Sequence, residues 1–114
     1  MNPEQLRDFA VEQLEENKAQ DIVVIAIPES NIADYMIICS GTSSRHVMAM
    51  GDHLVAASKK EGSKPLGVEE DPTGTWTLVD LDDVIVHIML PQTREFYNLE
   101  QLWGVELAEK NRNK

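Results

Sequence analysis

Two stretches in the C-terminal half combine large aromatic side chains with carboxylates, residue types that could take part in catalysis or bind a partner. The first reads WTLVDLDDVIVH (residues 76–87), and the second reads REFYNLEQLW (residues 94–103). Neither contains a complete set of catalytic side chains. Aromatic side chains buried in an interface supply much of its binding energy, and fixed charges orient the partner. The combination therefore favours a docking surface for a basic partner.

Acidic residues are concentrated around Trp76, and two interpretations of them remain open. Between residues 68 and 83 the chain has no Lys or Arg and six acids: Glu69, Glu70, Asp71, Asp80, Asp82 and Asp83. These carboxylates could simply solvate loops, or they could form an acidic rim around an aromatic anchor. Tyr97, Leu99 and Trp103 belong either to the core or to an exposed patch. We favour an interface role for Trp76 and Tyr97, and leave Trp103 open between the two.

Small residues at 41–44 (GTSS) follow a predicted strand and precede a predicted helix. Backbone amides at a helix N-terminus can bind a phosphate or another anion. The segment lacks the Lys of a P-loop and the spaced glycines of a dinucleotide-binding turn. A capped turn between strand and helix is therefore the favoured interpretation.

Metal chemistry has one candidate pair, Asp80 and Asp82, since alternating acids can converge on one ion. A small magnesium-dependent nucleotidyltransferase would use such acids together with Ser43. The acids follow Gly41 by nearly forty positions, however, and a helix and a long loop intervene. We favour acids that solvate a hairpin, and we predict no metal, no cofactor and no enzymatic activity.

The three histidines and the single cysteine do not have the spacing of a zinc site. His53 is predicted to lie on the solvated side of its helix. His87 is predicted to share one strand face with Ile85 and Met89, as a half-buried structural residue. Cys39 is predicted to be a small core residue.

Composition limits the classes of function. The chain has 114 residues, 42% of them hydrophobic, which is enough for one domain with a core. The net charge of −10 and the pI near 4.6 oppose direct binding to DNA, RNA or an anionic membrane surface. One cysteine excludes an internal disulfide and fits a reducing compartment. No apolar run approaches the roughly 20 residues of a membrane span, and no signal peptide is evident. We therefore predict a cytoplasmic protein.

Hydrophobic periodicity predicts an α/β domain with a mixed sheet and the element order α-β-β-α-β-β-β-α. Asn2, Pro3 and Gln5 form a capping box that opens the first helix. The run 21–27 is predicted to be a strand buried on both faces. The short link to the next strand, at 35–39, requires that these two strands be antiparallel. The second helix should run to about Lys60, with an inward stripe of Val47, Met50, Gly51, Leu54 and Ala57. A hairpin at 76–90 and a helix at 92–103 complete the prediction.

Several segments in the same order resemble the ribosomal silencing factor family, also called the Iojap-related family. They are DYMIICSGTSSR (34–45), KPLGVE (64–69), GTW (74–76), DVIVH (83–87) and REFYNLEQLW (94–103). The resemblance covers Leu6 to about Gly104, so residues 1–104 are expected to form the domain and 105–114 a charged tail.

The resemblance implies a nucleotidyltransferase-like α/β fold without the transferase active site. It also implies binding to the large ribosomal subunit through a basic ribosomal protein, the one numbered fourteen, on the joining face. That binding would obstruct the small subunit and lower translation when nutrients are short. A third interpretation, besides partner docking and a nucleotidyltransferase, is a homodimer that buries Trp76 and Trp103 between two copies. Such a dimer could hide the partner-docking surface in the free protein.

Positions shared with the family supply the expected partner-binding residues. They are Trp76, Asp80, His87, Tyr97, Leu99, Glu100 and Trp103. Trp76 and Tyr97 are expected to be apolar anchors, while Asp80 and Glu100 face Lys or Arg of the partner. Matches at Asp34, Tyr35, Gly41, Ser43 and Arg45 are expected to hold the turn between strand and helix. Met36, Met89 and Leu81 depart from the family pattern but keep its hydrophobicity.

Overall fold

Segments with helical and with strand periodicity of their apolar residues alternate along the chain. They form three helices and five strands among the residues that the structure describes. The structure is a computed structural model, and it describes residues 1–27 and 31–98. The elements are α1 (Pro3–Glu16), β1 (Gln20–Ala26), β2 (Tyr35–Ser40), α2 (Ser44–Lys60), β3 (Gly67–Glu70), β4 (Trp76–Asp80), β5 (Val84–Met89) and α3 (Pro91–Tyr97). The predicted element order is confirmed.

The five strands form one mixed sheet in the order β1-β2-β5-β4-β3. β2 and β5 are parallel, because the chain crosses over through α2 and the β3–β4 hairpin before it returns. The other three pairings are antiparallel, including β1 with β2. The prediction of an α/β domain with a mixed sheet, and of an antiparallel first pair, is confirmed.

One face of the sheet is packed against α1 and α2, and we call it the helix face. The capping box of Asn2 and Gln5 starts α1 as predicted, and the Ser43 side chain caps α2. The buried apolar core on this face includes Leu6, Ala10, Leu14, Val47, Met50 and Leu54 from the helices and Ile37, Cys39, Val79, Val86 and Ile88 from the strands. Cys39 is a core residue as predicted, and burial raises the pKa of its thiol to about 12.

The opposite face carries a second apolar cluster, and we call it the second face. Its buried members are Ile25, Ile27, Ala33, Met36, Ile38, Ile85 and Met89, with Val23, Trp76 and Leu78 partly buried against them. Because successive side chains of a strand alternate between faces, β4 directs Trp76, Leu78 and Asp80 to this side. The functional candidates of β4 therefore lie on the second face.

Three local predictions were wrong. The run 21–27 is not buried on both faces, because β1 is an edge strand and its Val24 is 41% exposed. The last helix ends at Tyr97, because Asn98 adopts a left-handed conformation with φ of 53°; the remainder of the predicted helix, 99–103, lies outside the described residues. In α2, Ser58 rather than Ala57 is fully buried. No helix in the described part of the chain is both long and apolar enough to cross a membrane.

Candidate docking surface

Trp76 is the centre of the candidate site and is held in place by two neighbouring rings. Leu78 lies opposite His87 in the β4–β5 ladder, which makes Trp76 the diagonal neighbour of His87 on the same face. The indole Nε1–H donates a 3.0 Å hydrogen bond to Nδ1 of His87. Their ring centroids are 5.7 Å apart. The indole is therefore oriented by strand pairing and by a directed hydrogen bond.

Helix α3 brings two further aromatic rings to Trp76. It begins directly after β5, and the Tyr97 ring centroid lies 4.8 Å from that of Trp76 at an interplanar angle of 54°. Phe96 packs edge-on against Tyr97 at 5.0 Å. Phe96 is 81% exposed and Tyr97 is 52% exposed. Large aromatic side chains at such exposure form an apolar patch available for binding.

Phe96 was missed by the sequence analysis, which singled out its neighbour Tyr97. The sequence carried no signal for its exposure, because the predicted helix at 92–103 did not fix which of its side chains face solvent. The exposure depends on how α3 leaves the sheet. One determinant of that geometry is buried Arg94, whose Nη1–H donates a 3.0 Å hydrogen bond to Oγ of Ser40 at the end of β2.

His87 supports the site as a neutral residue. Its side chain is only 6% exposed, and this burial lowers the pKa of the imidazole to about 4. Because Nδ1 accepts the Trp76 hydrogen bond, the ring proton of the neutral form belongs on Nε2. The predicted face, shared with Ile85 and Met89, is confirmed, although His87 is buried more fully than predicted. Its role near neutral pH is to hold the indole rather than to supply charge.

Carboxylates from β3 and from the residue that follows it lie next to Trp76. Glu69 pairs with Leu78 in the β3–β4 ladder, and the backbone N–H of Asp71 donates to the carbonyl oxygen of Trp76 at 2.9 Å. The side-chain and backbone hydrogen bonds from Thr73 lower the pKa of the Asp71 carboxyl. Asp71 therefore stays ionised at neutral pH. The aromatic cluster thus has a negatively charged border.

Asp80 lies at the other end of β4 and has a structural role as well. Its carboxylate accepts a hydrogen bond of 2.9 Å from the backbone N–H of Asp82. Asp82 has a positive φ of 75° in the turn between β4 and β5. The carboxylate of Asp80 therefore stabilises the predicted hairpin, while its place in the strand puts it on the same face as Trp76.

The structure brings together only part of the predicted partner-binding set. Trp76 contacts both His87 and Tyr97. Asp80 lies on the same face of the sheet, at the other end of β4. We name the set Trp76, His87, Phe96, Tyr97, Glu69 and Asp71 the docking surface. Leu99, Glu100 and Trp103 lie outside the described residues.

The segment 41–44 is organised as a capped turn. The Thr42 N–H donates to Nδ1 of His46 at 2.9 Å, and Nε2 of His46 is 2.7 Å from the carbonyl oxygen of Asn17. A Cβ atom at Gly41 would lie 2.8 Å from a methyl group of Val47, so only glycine fits there without a shift. These contacts already engage the first amide of the turn, and they support the structural interpretation over an anion site.

The residues required by a nucleotidyltransferase lie at opposite ends of the sheet. Ser43 follows the end of β2 that pairs with Met89, whereas Asp80 pairs with Ile85. Four strand residues separate these positions, roughly 13 Å at 3.3 Å per residue. Among the described residues no group of three or more His, Cys, Asp or Glu side chains could hold a metal ion. This arrangement does not assemble the acids with Ser43.

Together, the fold and the site define a mixed α/β domain with an aromatic and acidic surface on one face of its sheet. Comparison with known proteins places this fold in a family. The family described as "Ribosomal silencing factor during starvation" matches residues 1–114. A relative from Haemophilus influenzae, "Ribosomal silencing factor RsfS", is 48% identical over 100 residues, which are 87% of this chain and 98% of that protein.

Two further relatives extend the comparison. "Mitochondrial assembly of ribosomal large subunit protein 1" from Mus musculus is 43% identical over 100 residues, covering 84% of this chain and 44% of that protein. A crystal structure of a Chromobacterium violaceum protein superimposes with a TM-score of 0.88 at 35% identity, covering 91% of this chain and 88% of that chain. The chain belongs to the ribosomal silencing factor family. This membership supports a ribosome-associated role in silencing translation.

Proposed function

We propose that this protein represses translation by binding the large ribosomal subunit through a basic ribosomal protein, the one numbered fourteen, on the joining face. The bound domain then blocks the small subunit by occupying its place. The observation that carries this proposal is the docking surface, in which Trp76 is fixed by His87 and Tyr97 beside the carboxylates of Glu69 and Asp71.

Charge supports a basic protein partner. The chain carries a net charge of −10, which disfavours direct contact with ribosomal RNA because RNA phosphates are also negative. Basic ribosomal proteins offer the opposite sign of charge on the same particle. Electrostatic complementarity of this kind accelerates association and selects the orientation of the complex.

Aromatic exposure supports a stable contact rather than a purely electrostatic encounter. Phe96 and Tyr97 are exposed and Trp76 is half-buried, so a partner could remove all three rings from water. Tryptophan and tyrosine are enriched among the residues that dominate binding energy. A standard interface buries on the order of 1,600 Å² in total, which requires more of the second face than these three rings.

The proposed mechanism is steric and needs no covalent step. The domain of residues 1–104 supplies the bulk that obstructs subunit joining, with residues 105–114 as a charged tail. Asp80, Leu99, Glu100 and Trp103 are proposed as further partner contacts around the aromatic centre. The proposed place of action is the cytoplasm, where the subunits join.

The direct test is co-sedimentation of the purified protein with separated ribosomal subunits, followed by addition of the complementary subunit. The expected result is binding to large subunits alone and a reduced yield of joined ribosomes. Equal binding to both subunits, or binding without a loss of joining, would contradict the steric mechanism.

The identity of the contacted protein needs a separate measurement. The isolated basic protein numbered fourteen should bind with 1:1 stoichiometry in calorimetry and should compete with large subunits. Sedimentation of the free protein over a concentration series checks whether a homodimer competes for the same surface. A dimer that dissociates as large subunits are added is consistent with a shared surface.

A further inference from the structure

A small open cleft lies beside Trp76 on the side of β3. Its volume is about 230 Å³, and it is lined by Glu69, Glu70, Asp71, Trp76 and Leu78. Strand pairing explains this composition. Leu78 lies opposite Glu69, and the Asp71 backbone is hydrogen-bonded to that of Trp76. The cleft therefore has an aromatic and aliphatic wall on β4 and a carboxylate wall formed by β3 and by Asp71, which follows it.

The aromatic wall is held by contacts elsewhere on the indole. Trp76 donates its one N–H to His87, and Tyr97 packs against the ring at 4.8 Å. Neither His87 nor Tyr97 lines the cleft. The indole that borders the cleft is therefore already fixed in orientation. Binding there costs less conformational entropy than binding to a mobile side chain would.

The carboxylate wall has no basic neighbour in sequence. Residues 65–93 contain no Lys or Arg, and the ion pair between Arg7 and Asp8 lies on α1. Thr73 orients the Asp71 carboxylate through its backbone N–H at 2.8 Å and through its hydroxyl. Unneutralised carboxylates beside a π-face suit a cation with a flat apolar surface.

We propose that this cleft is a recognition pocket for one arginine side chain of the protein's partner. In it the guanidinium stacks on the Trp76 indole, the aliphatic stem crosses Leu78, and the N–H groups reach the carboxylates of Glu69 and Asp71. Arginine fits better than lysine because its planar group can stack and donate in parallel to carboxylates, whereas ammonium is a compact, strongly hydrated charge. The inference rests on the proposed function and specifies the partner chemistry.

The first experiment probes the free protein without ribosomes. N-acetyl-arginine methylamide is titrated while the indole N–H resonance of Trp76 is followed by NMR, with Trp103→Phe used to assign the two indoles. The neutral isostere N-acetyl-citrulline methylamide and the lysine analogue serve as comparisons. The expected result is a saturable shift with arginine, a weaker one with lysine and none with citrulline.

Variants of the pocket should weaken that response. Glu69→Gln removes one charge from the wall, and its matched control, Glu16→Gln, removes one exposed acid from α1. We expect roughly tenfold weaker arginine binding for Glu69→Gln, the usual size of a loss of one charge-assisted contact, and no change for the control. An equal response of the indole to citrulline or to lysine, or no saturable response to arginine, overturns the pocket.

The second experiment measures binding of the same two variants to purified large subunits over a range of salt concentrations. Glu69→Gln is expected to bind more weakly and with a shallower salt dependence than Glu16→Gln. If subunits bind Glu69→Gln as they bind the control, the arginine pocket is wrong while the proposed function stands. If arginine binds the free protein but large subunits do not bind, the proposed function fails and the pocket remains.

Discussion

The two faces of the sheet use the same strands in different ways. The helix face is covered by α1 and α2, and its strand residues, such as Val79 and Ile88, are fully buried and apolar. The second face combines buried aliphatic residues with Trp76, His87 and a carboxylate border. Alternation along β4 separates the two sets residue by residue, with Thr77 and Val79 on one side and Trp76 and Leu78 on the other.

This difference indicates how stability and binding are divided. Burial on the helix face supplies a continuous core whose loss would unfold the domain. The exposed aromatic and carboxylate side chains on the second face lie outside that core, and we propose that they make directed contacts to a partner. Substitutions on the two faces should therefore affect different measurements, and each prediction below tests that separation.

The largest effect on stability is expected from a truncation on the helix face. Leu54 of α2 is fully buried, so Leu54→Ala removes apolar contacts and leaves a cavity, which costs about 2–5 kcal/mol of unfolding free energy. Urea denaturation measures this change. Met48→Ala, at a position of the same helix that is 40% exposed, is the control and should change stability by well under 1 kcal/mol.

A loss below about 1 kcal/mol for Leu54→Ala would show that the helix face is not the main source of stability. At temperatures where the Leu54→Ala variant remains folded, its affinity for large subunits should match that of the wild type. A specific loss of binding would contradict the division between the faces.

Removal of the central aromatic ring should weaken binding to the large subunit while the protein stays folded. Trp76→Ala is expected to weaken large-subunit binding by about 2–4 kcal/mol, roughly 30- to 1,000-fold. The reason is that the indole contacts Tyr97 and borders the acidic cleft. Co-sedimentation over a range of subunit concentrations measures the affinity, and circular dichroism verifies folding. Met48→Ala again serves as the control, since it removes an exposed apolar side chain from the helix side. A folded Trp76→Ala protein with wild-type affinity would refute the anchor role.

Protonation of His87 should link the second face to stability at acidic pH. The pKa is about 4 in the folded state against 6.5 for the ordinary group, so between these values the unfolded chain binds more protons. The stability that neutral His87 contributes to the folded state is fully present above pH 6.5 and is lost as the pH falls toward 4. The gap between 6.5 and about 4 corresponds to about 3 kcal/mol of unfolding free energy.

His87→Gln provides the comparison, because its side-chain oxygen can accept the Trp76 hydrogen bond but does not titrate. Urea denaturation of both proteins from pH 7 to pH 4 should give a steeper loss of stability for the wild type. Parallel curves would mean that His87 is protonated alike in the folded and unfolded states.

Alternation allowed much of the second face to be predicted from the sequence. His87, Ile85 and Met89 were placed on one face because strand side chains alternate, and that placement is confirmed. The edge position of β1 could not be predicted in the same way. An uninterrupted run of apolar residues is typical of a central strand, and only the strand order shows that this one lies at the edge.

The candidate site was predictable in its residue types but not in its geometry. Trp76 and Tyr97 were recognisable as candidate aromatic anchors, yet their contact depends on the direction in which α3 leaves β5. The end of α3 at Asn98 had a local signal, since Asn is accepted in the left-handed cap of a helix. Helical spacing of the apolar residues beyond it favoured a longer helix instead.

The smallest predicted effect concerns Asp80, which tests how far the docking surface extends along β4. Asp80→Asn keeps a side-chain oxygen that can accept from the Asp82 N–H, so the hairpin and the stability should be preserved. Removal of one border charge should reduce affinity by less than about 1 kcal/mol, mainly through a slower association rate at low salt. Stopped-flow association with large subunits at two salt concentrations measures this effect, with Asp52→Asn on α2 as the matched control. If Asp80→Asn associates at the same rate as Asp52→Asn at both salt concentrations, the partner's basic surface is confined to the Trp76 end of the strand. A loss as large as that of Trp76→Ala would instead move the energetic centre of the interface toward the hairpin.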